Sequence, residues 1–184
     1  IDRGLVGSEM CIRDSVEHAR IAAATVKHHW DVADPALGAQ EIEEQKEMEV
    51  EAGGLISNEG GVNKWRVNTL VEQLRYDVKQ MTVKAGQKMH IEFNNPDALP
   101  HNLVITKPGT ATEVANAAIA MGADGFAAQF IPESSDIIAH TDMIDGQTST
   151  ELKFDVPSEP GNYEFVCTFP GHALIMRGVL KVTD

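Results

Sequence analysis

Three side chains that bind soft or borderline metal ions fall within ten residues near the C-terminus: Cys167, His172 and Met176, spaced Cys-x4-His-x3-Met. A further imidazole, His101, lies 66 residues before the cysteine. Thiolate and thioether ligands favour Cu(I), while imidazole binds copper in both oxidation states. Two imidazoles and one thiolate in a plane, with a weak axial thioether, form the blue-copper arrangement. The four residues therefore predict a mononuclear copper site that exchanges one electron.

Such a site needs a tight loop between two strands and one more ligand from a neighbouring strand. The bend of Phe169-Pro170-Gly171 supplies the loop, and the ring of Pro170 limits its flexibility. Apolar residues alternate with polar ones on both sides of it, which predicts a strand before and a strand after the loop. Those alternating residues are Tyr163, Phe165 and Cys167 before the loop, and Met176, Gly178, Leu180 and Val182 after it.

The same alternation recurs upstream, between clusters of turn residues. It predicts strands through Met89–Phe93, His101–Ile105 and Glu151–Val156, while the alanine-rich stretch Thr112–Gly122 favours a helix. Many short strands with one helical excursion are typical of an all-β fold. We therefore predict a Greek-key antiparallel β-sandwich with a short helical insertion.

Composition excludes several classes of protein. The chain of 184 residues carries 15 Lys and Arg against 28 Asp and Glu, a net charge of −13, which argues against a nucleic-acid binder. No apolar run approaches the roughly 18–20 residues that a membrane span needs. Two cysteines, Cys11 and Cys167, exclude a disulfide-dense scaffold and any site built from three or four thiolates.

Three segments differ in character. Residues 1–15 resemble translated sequencing-adapter read-through, and we exclude them from the fold; a genuine N-terminal loop, with Cys11 as a spare thiol, is the alternative. Residues 16–61 include a glutamate-rich stretch and predict an acidic helical or disordered linker, or a docking element for a basic partner. Residues 62–184 carry the strand pattern and are predicted to form the copper domain.

The residues around the four ligands resemble those of the cupredoxins, the blue type 1 copper proteins. Val166-Cys167-Thr168-Phe169-Pro170-Gly171-His172 followed by Met176 resembles the copper loop of azurins and auracyanins. Leu99-Pro100-His101-Asn102-Leu103-Val104 resembles the first-histidine segment of plastocyanins and azurins. The segment Ile137–Thr141 is also azurin-like, although His140 within it is interpreted as a surface histidine.

The resemblance implies a role for each matched residue. His101 and His172 would bind copper through Nδ1, Cys167 as the thiolate and Met176 as the long axial ligand. The carbonyl of Pro100 would lie near the opposite axial position, and no catalytic residues are implied. Asn102 would tie the first-histidine segment to the ligand loop at Thr168. The structural disulfide of azurins has no counterpart, since Cys167 is the only cysteine of residues 62–184, and rigidity would rest on packing.

An electron carrier is the expected function, and three copper enzymes fit the chain poorly. Multicopper oxidases have histidines beside the cysteine, whereas Val166 and Thr168 stand here. A binuclear copper site needs two cysteines on one loop, and a nitrite reductase needs a second domain. Two alternatives remain: the C-terminal electron-transfer module of a larger dehydrogenase or haem oxidoreductase, and a copper carrier or storage protein.

Electrons would leave through the edge of His172. An apolar collar is predicted around it, which would suit brief docking with redox proteins such as cytochromes, or with a fused oxidoreductase domain. The resemblance implies a periplasmic or otherwise extracytoplasmic location. The predicted collar consists of Leu99, Phe169, Pro170, Ala173 and Leu174.

Overall fold

Residues 47–184 are described by the computed structural model, and they contain two five-stranded sheets and one α-helix. The predictions for residues 1–15, and for residues 16–46 of the acidic segment, lie outside the described residues. Residues 47–53 of that segment form neither helix nor strand. In chain order the elements are β1 (Gly54–Glu59), β2 (Val62–Leu70), β3 (Arg75–Tyr76), β4 (Gln80–Lys84), β5 (Lys88–Asn95), β6 (Val104–Thr106), α1 (Ala111–Ala120), β7 (Ile137–His140), β8 (Thr148–Asp155), β9 (Gly161–Val166) and β10 (Arg177–Thr183).

The two sheets have the strand orders β1-β2-β5-β8, with β3 paired to β2, and β4-β10-β9-β6-β7. The predicted all-β sandwich with a helical insertion is confirmed. The sheets are mixed, however, because β2 runs parallel to β5 and β4 parallel to β10. Parallel partners need long connections, and a strand pattern read locally does not reveal which distant strand becomes the neighbour.

The first sheet also begins earlier than predicted. β1 pairs antiparallel with β2, from Glu59 opposite Val62 to Gly54 opposite Arg66, so the boundary expected at residue 62 falls inside a hairpin. Gly60 and Gly61 have φ angles of 59° and 78°, which a two-residue hairpin turn of type I′ requires. The glycine pair is thus a turn within the sheet, although its composition also suits a domain boundary.

The core lies between the inward faces of the two sheets. Met89, Ile91 and Phe93 of β5 are buried and alternate with more exposed neighbours, as the period-2 pattern predicts. Tyr76 lies between the sheets, with its ring 6.0 Å from that of Phe93 and 5.4 Å from that of Phe165. This packing fixes β9 against the first sheet immediately before the loop that begins at Cys167.

The helix α1 covers the outer side of the second sheet, close to the ligand loop. Its buried residues follow the i, i+3, i+4, i+7 pattern of one helical face: Ala111, Val114, Ala115 and Ala118. They pack with Val104 of β6, Val166 of β9 and Ala173. Within residues 47–184, no helix is long and apolar enough to span a membrane.

Candidate metal centre

The first histidine lies in the connection between β5 and β6. His101 exchanges two backbone hydrogen bonds with Ile144, its N–H donating at 3.0 Å and its carbonyl accepting at 2.9 Å. The amide of Asn95 at the end of β5 donates to the carbonyls of Leu99, at 2.8 Å, and Asp145, at 3.1 Å. These bonds shape the turn, so His101 is held with no exposed surface.

The second ligand segment is the loop between β9 and β10. The N–H of Cys167 donates to the carbonyl of Met176 at 3.1 Å, which closes the loop at its two ends. Gly171 has a φ of 86°, a left-handed conformation that favours glycine, and it reverses the chain immediately before His172. The N–H of Met176 then donates to the carbonyl of His172 at 2.9 Å. The loop therefore turns His172 back toward Cys167.

Three candidate ligand atoms converge between these two segments. The Nδ1 atoms of His101 and His172 lie 3.2 Å apart, and Cys167 Sγ lies 3.8 Å from the first and 3.6 Å from the second. The point equidistant from these atoms lies about 2.1 Å from each, within the roughly 2.0–2.3 Å of metal bonds to imidazole nitrogen and thiolate sulfur. A single metal ion therefore fits the three side chains as they stand.

Burial sets the protonation of these side chains in the metal-free protein. It raises the pKa of the Cys167 thiol to about 11, against the backbone hydrogen bonds that lower it. Burial lowers the pKa of His172 to about 4, and the neighbouring His101 adds to this effect. Burial also lowers the pKa of His101, while Asp97 opposes the shift. At neutral pH both imidazoles are uncharged, and binding a metal releases the thiol proton.

A pair of buried hydrogen bonds joins the two ligand segments. Asn102 Nδ2 donates to Thr168 Oγ1 at 2.8 Å, and the Thr168 N–H donates to Asn102 Oδ1 at 2.9 Å. The hydroxyl of Tyr76 donates to the carbonyl of Asn102 at 2.6 Å. The predicted tie between Asn102 and Thr168 is thus confirmed. Rigidity does not rest on packing alone, because side-chain hydrogen bonds also connect the segments.

Comparison with known proteins agrees with this geometry. The sequence model of the copper binding proteins of the plastocyanin/azurin family matches residues 64–183. The chain belongs to this family. It is 40% identical to auracyanin-A of Chloroflexus aurantiacus over 113 residues, covering 60% of this chain and 68% of the relative. It is 31% identical to azurin-1 of Alcaligenes xylosoxydans xylosoxydans over 119 residues, covering 60% of this chain and 91% of the relative.

Solved structures place the fold in the same group. The structure of auracyanin A from Chloroflexus aurantiacus, described as a "blue" copper protein, matches with a TM-score of 0.61 and 34% identity, covering 66% of this chain and 99% of that one. Dithionite-reduced auracyanin from Roseiflexus castenholzii matches with a TM-score of 0.59 and 36% identity, covering 65% of this chain and 95% of that one. The expected cupredoxin is thereby confirmed, and copper is the metal of this family.

The remaining cupredoxin site residues are placed less directly. Met176 is fully buried in the same core cluster as Cys167, to which its backbone is hydrogen-bonded. Pro100 is half-buried and immediately precedes His101. Their axial roles remain predictions. His140 is exposed at the end of β7 and stands apart from the three converging ligands, which agrees with its interpretation as a surface histidine.

Two residues beside the site were not predicted. Asp97 Oδ2 lies 3.3 Å from His101 Nε2, and both side chains are buried. Phe130 is 3% exposed, and its ring lies 5.4 Å from that of Phe169, which in turn lies 4.6 Å from the ring of His172. The sequence offered a signal for Asp97, because an acidic residue stands four positions before His101. Nothing in the sequence marks Phe130, which sits in an irregular segment with a φ of 53°.

The metal-free protein is expected to lose stability as the pH is lowered from about 6.5 to about 4. His172 has a pKa near 4 when folded, against an ordinary 6.5, so in this window the unfolded chain binds a proton that the folded chain does not. Stability therefore rises with pH across the window. Denaturant titrations of the metal-free protein at several pH values measure this slope.

Two histidine variants control that measurement. His172→Gln is expected to flatten the slope, whereas His140→Gln, at an exposed position, is expected to leave it unchanged. An equally steep slope in wild type and His172→Gln would contradict the assignment of the proton to His172.

Proposed function

We propose that this chain is a mononuclear blue copper electron carrier, in which His101, Cys167 and His172 would hold the metal, with Met176 and the Pro100 carbonyl as further ligands. The observation that carries the proposal is the triangle of two imidazole nitrogens and one sulfur, with edges of 3.2, 3.6 and 3.8 Å. Its donor set matches the trigonal His2Cys plane of blue-copper sites. The family of copper proteins to which the chain belongs supports the same metal.

Copper bound in the triangle supplies the one-electron chemistry, alternating between Cu(I) and Cu(II). The chain's own contribution is to hold the ligand atoms still. The backbone bonds around His101 and the loop closure between Cys167 and Met176 restrict motion of the ligands. The Asn102–Thr168 pair fixes the two segments relative to each other. A site that moves little between oxidation states needs little reorganisation, and this favours fast electron exchange.

His172 provides the route between the site and the surface. It is 6% exposed, whereas His101 and Cys167 are fully buried, so among these three residues only His172 reaches solvent. Leu99 and Leu174 are 47% and 85% exposed, and Phe169 packs against the imidazole. Ala173, predicted to belong to the collar, is instead 7% exposed and packs toward α1. Redox proteins such as cytochromes would dock on this apolar surface near His172.

The wider context belongs to the proposal as well. We infer an extracytoplasmic location, which azurin and auracyanin relatives support. Proteins of this family are electron carriers, and we propose that the chain has no enzymatic activity of its own. The second candidate is a C-terminal module of a larger oxidoreductase, and it is motivated by the glutamate-rich, linker-like composition of residues 40–52. A coding sequence in which a catalytic domain comes first would favour that candidate.

Copper loading of the full chain tests the function. An intense visible absorption band, a narrow copper hyperfine splitting in electron paramagnetic resonance and rapid electron exchange with a c-type cytochrome are expected. A pale spectrum with a wide hyperfine splitting would overturn the proposal. Copper that a chelator removes quickly, without fast electron exchange, would instead indicate a copper carrier or storage protein.

A further inference from the structure

We propose that Asp97 is a positioning residue for the copper site, whose buried carboxylate accepts a hydrogen bond from His101 Nε2 and lowers the reduction potential of the metal. The inference rests on the proposed function. It concerns a residue that none of the predicted ligand roles includes.

The two ring nitrogens of His101 face different partners. Nδ1 faces the site, 3.2 Å from His172 Nδ1 and 3.8 Å from Cys167 Sγ. Nε2 lies 3.3 Å from Asp97 Oδ2. An imidazole that binds a metal through Nδ1 carries its proton on Nε2, and this N–H needs an acceptor when it is buried. Asp97 Oδ2 is placed to accept it.

The surroundings of Asp97 hold its carboxylate in this position. Its other oxygen, Oδ1, accepts a hydrogen bond from the N–H of Ala98 at 2.7 Å. The residue is 2% exposed, so water does not compete for the contact with His101. Both oxygens of the Asp97 carboxylate therefore face a donor, the Ala98 N–H on one side and the His101 ring on the other.

A carboxylate acceptor changes the ligand in two ways. It fixes the tautomer whose Nδ1 lone pair faces the metal, and it makes the imidazole a stronger donor. It also places a buried negative charge near the metal, where the low local dielectric makes charge interactions stronger than in water. Both effects stabilise Cu(II) more than Cu(I), because Cu(II) carries the greater charge. The reduction potential is therefore lower than it would be with a neutral acceptor.

Asp97→Asn keeps the size of the side chain and removes its charge. Ala98 and His101 face different oxygens of Asp97, so an asparagine in the same position presents an acceptor oxygen to only one of them and an NH2 group to the other. An amide NH2 facing His101 favours the tautomer with the proton on Nδ1, which competes with metal binding. We expect Cu(II) affinity to fall about 10- to 100-fold. The reduction potential is expected to rise by about 59 mV for each tenfold by which Cu(II) affinity falls more than Cu(I) affinity.

Voltammetry and competition titrations on the full-length copper protein measure these changes. Asp142→Asn is the matched control, since it removes one negative charge at an exposed position and is expected to leave both quantities unchanged. A lower melting temperature in Asp97→Asn with an unchanged potential would assign Asp97 a structural role only and overturn the inference. Equal shifts of the reduction potential in Asp97→Asn and Asp142→Asn would also overturn the inference, because they would show a general effect of removing one negative charge.

A second measurement serves if Asp97→Asn does not fold. In the wild-type Cu(I) protein, which is diamagnetic, long-range 1H–15N NMR identifies the protonated nitrogen of His101. A strongly downfield proton on Nε2 is expected. A proton on Nδ1, or an Nε2 proton at an ordinary shift, would overturn the inference. A wild-type protein without the blue band would instead overturn the proposed function, so the two failures are distinguishable.

Discussion

Cys167→Ser is expected to lose the intense visible absorption of the copper-loaded protein completely, together with its fast electron exchange. The absorption of such a site arises from charge transfer between the thiolate and Cu(II), and a serine hydroxyl is neither ionised at neutral pH nor a soft ligand. Cys167 supplies one of the three converging candidate ligand atoms and is fully buried. Mutating a residue that only hydrogen-bonds to a metal ligand typically lowers metal affinity about 10- to 100-fold. Cys167→Ser removes a candidate ligand itself, so copper affinity is expected to fall by more than that.

Visible spectra and electron paramagnetic resonance of the wild type and Cys167→Ser are compared at equal copper loading. Val83→Thr is the matched control, because it also introduces a hydroxyl into the core, at a position 3% exposed on β4 and outside the ligand set. It is expected to keep the blue spectrum. A Cys167→Ser protein that stays blue would exclude Cys167 as the thiolate ligand.

Asn102→Ala is expected to destabilise the metal-free protein by about 2–4 kcal/mol. The substitution removes both hydrogen bonds to Thr168, and it leaves the buried N–H of Thr168 without its acceptor. Leaving the Thr168 N–H unsatisfied costs about 1–3 kcal/mol, and loss of the other bond, to the Thr168 hydroxyl, costs about 1 kcal/mol. The ligand segments would then be joined less rigidly, so slower electron exchange is expected in the copper-loaded form.

Denaturant unfolding of the metal-free protein gives the stability change. Asn162→Ala is the control: Asn162 lies exposed on β9 and makes no side-chain bond to the ligand loop. A change for Asn102→Ala no larger than that of the control would show that the Asn102–Thr168 bonds add little to stability. Unchanged electron exchange, measured by stopped-flow with a cytochrome, would contradict the rigidity argument.

Local patterns were sufficient to predict much of the fold. Alternation around Met89–Phe93 and Tyr163–Phe165 predicts β5 and β9, because a strand with one buried face imposes a period of two. The helix was expected at Thr112–Gly122 and is observed at Ala111–Ala120. The parallel pairings β2–β5 and β4–β10 were not predicted, since they join strands distant in the chain. The β1 hairpin was missed because two glycines suit a boundary as well as a turn.

The sequence by itself determined the candidate donor set and indicated copper as its metal. The order and spacing of His101, Cys167, His172 and Met176 indicate a copper site, since two imidazoles, a thiolate and a thioether are the donors of blue-copper centres. The short loop from Cys167 to Met176 makes half of the site local, and its closure follows from the turn at Gly171.

Only the tertiary structure decided what surrounds the donor set. His101 lies within 3.8 Å of Cys167 because β6 pairs with β9 in the same sheet, a contact across 66 residues. The same folding places the carboxylate of Asp97 behind His101 and the ring of Phe130 against Phe169. The burial of a residue and its distances to other side chains depend on every strand that packs around it. The pKa shifts and the contact between His101 and Asp97 are therefore properties of the fold, and the spacing of residues in the sequence does not predict them.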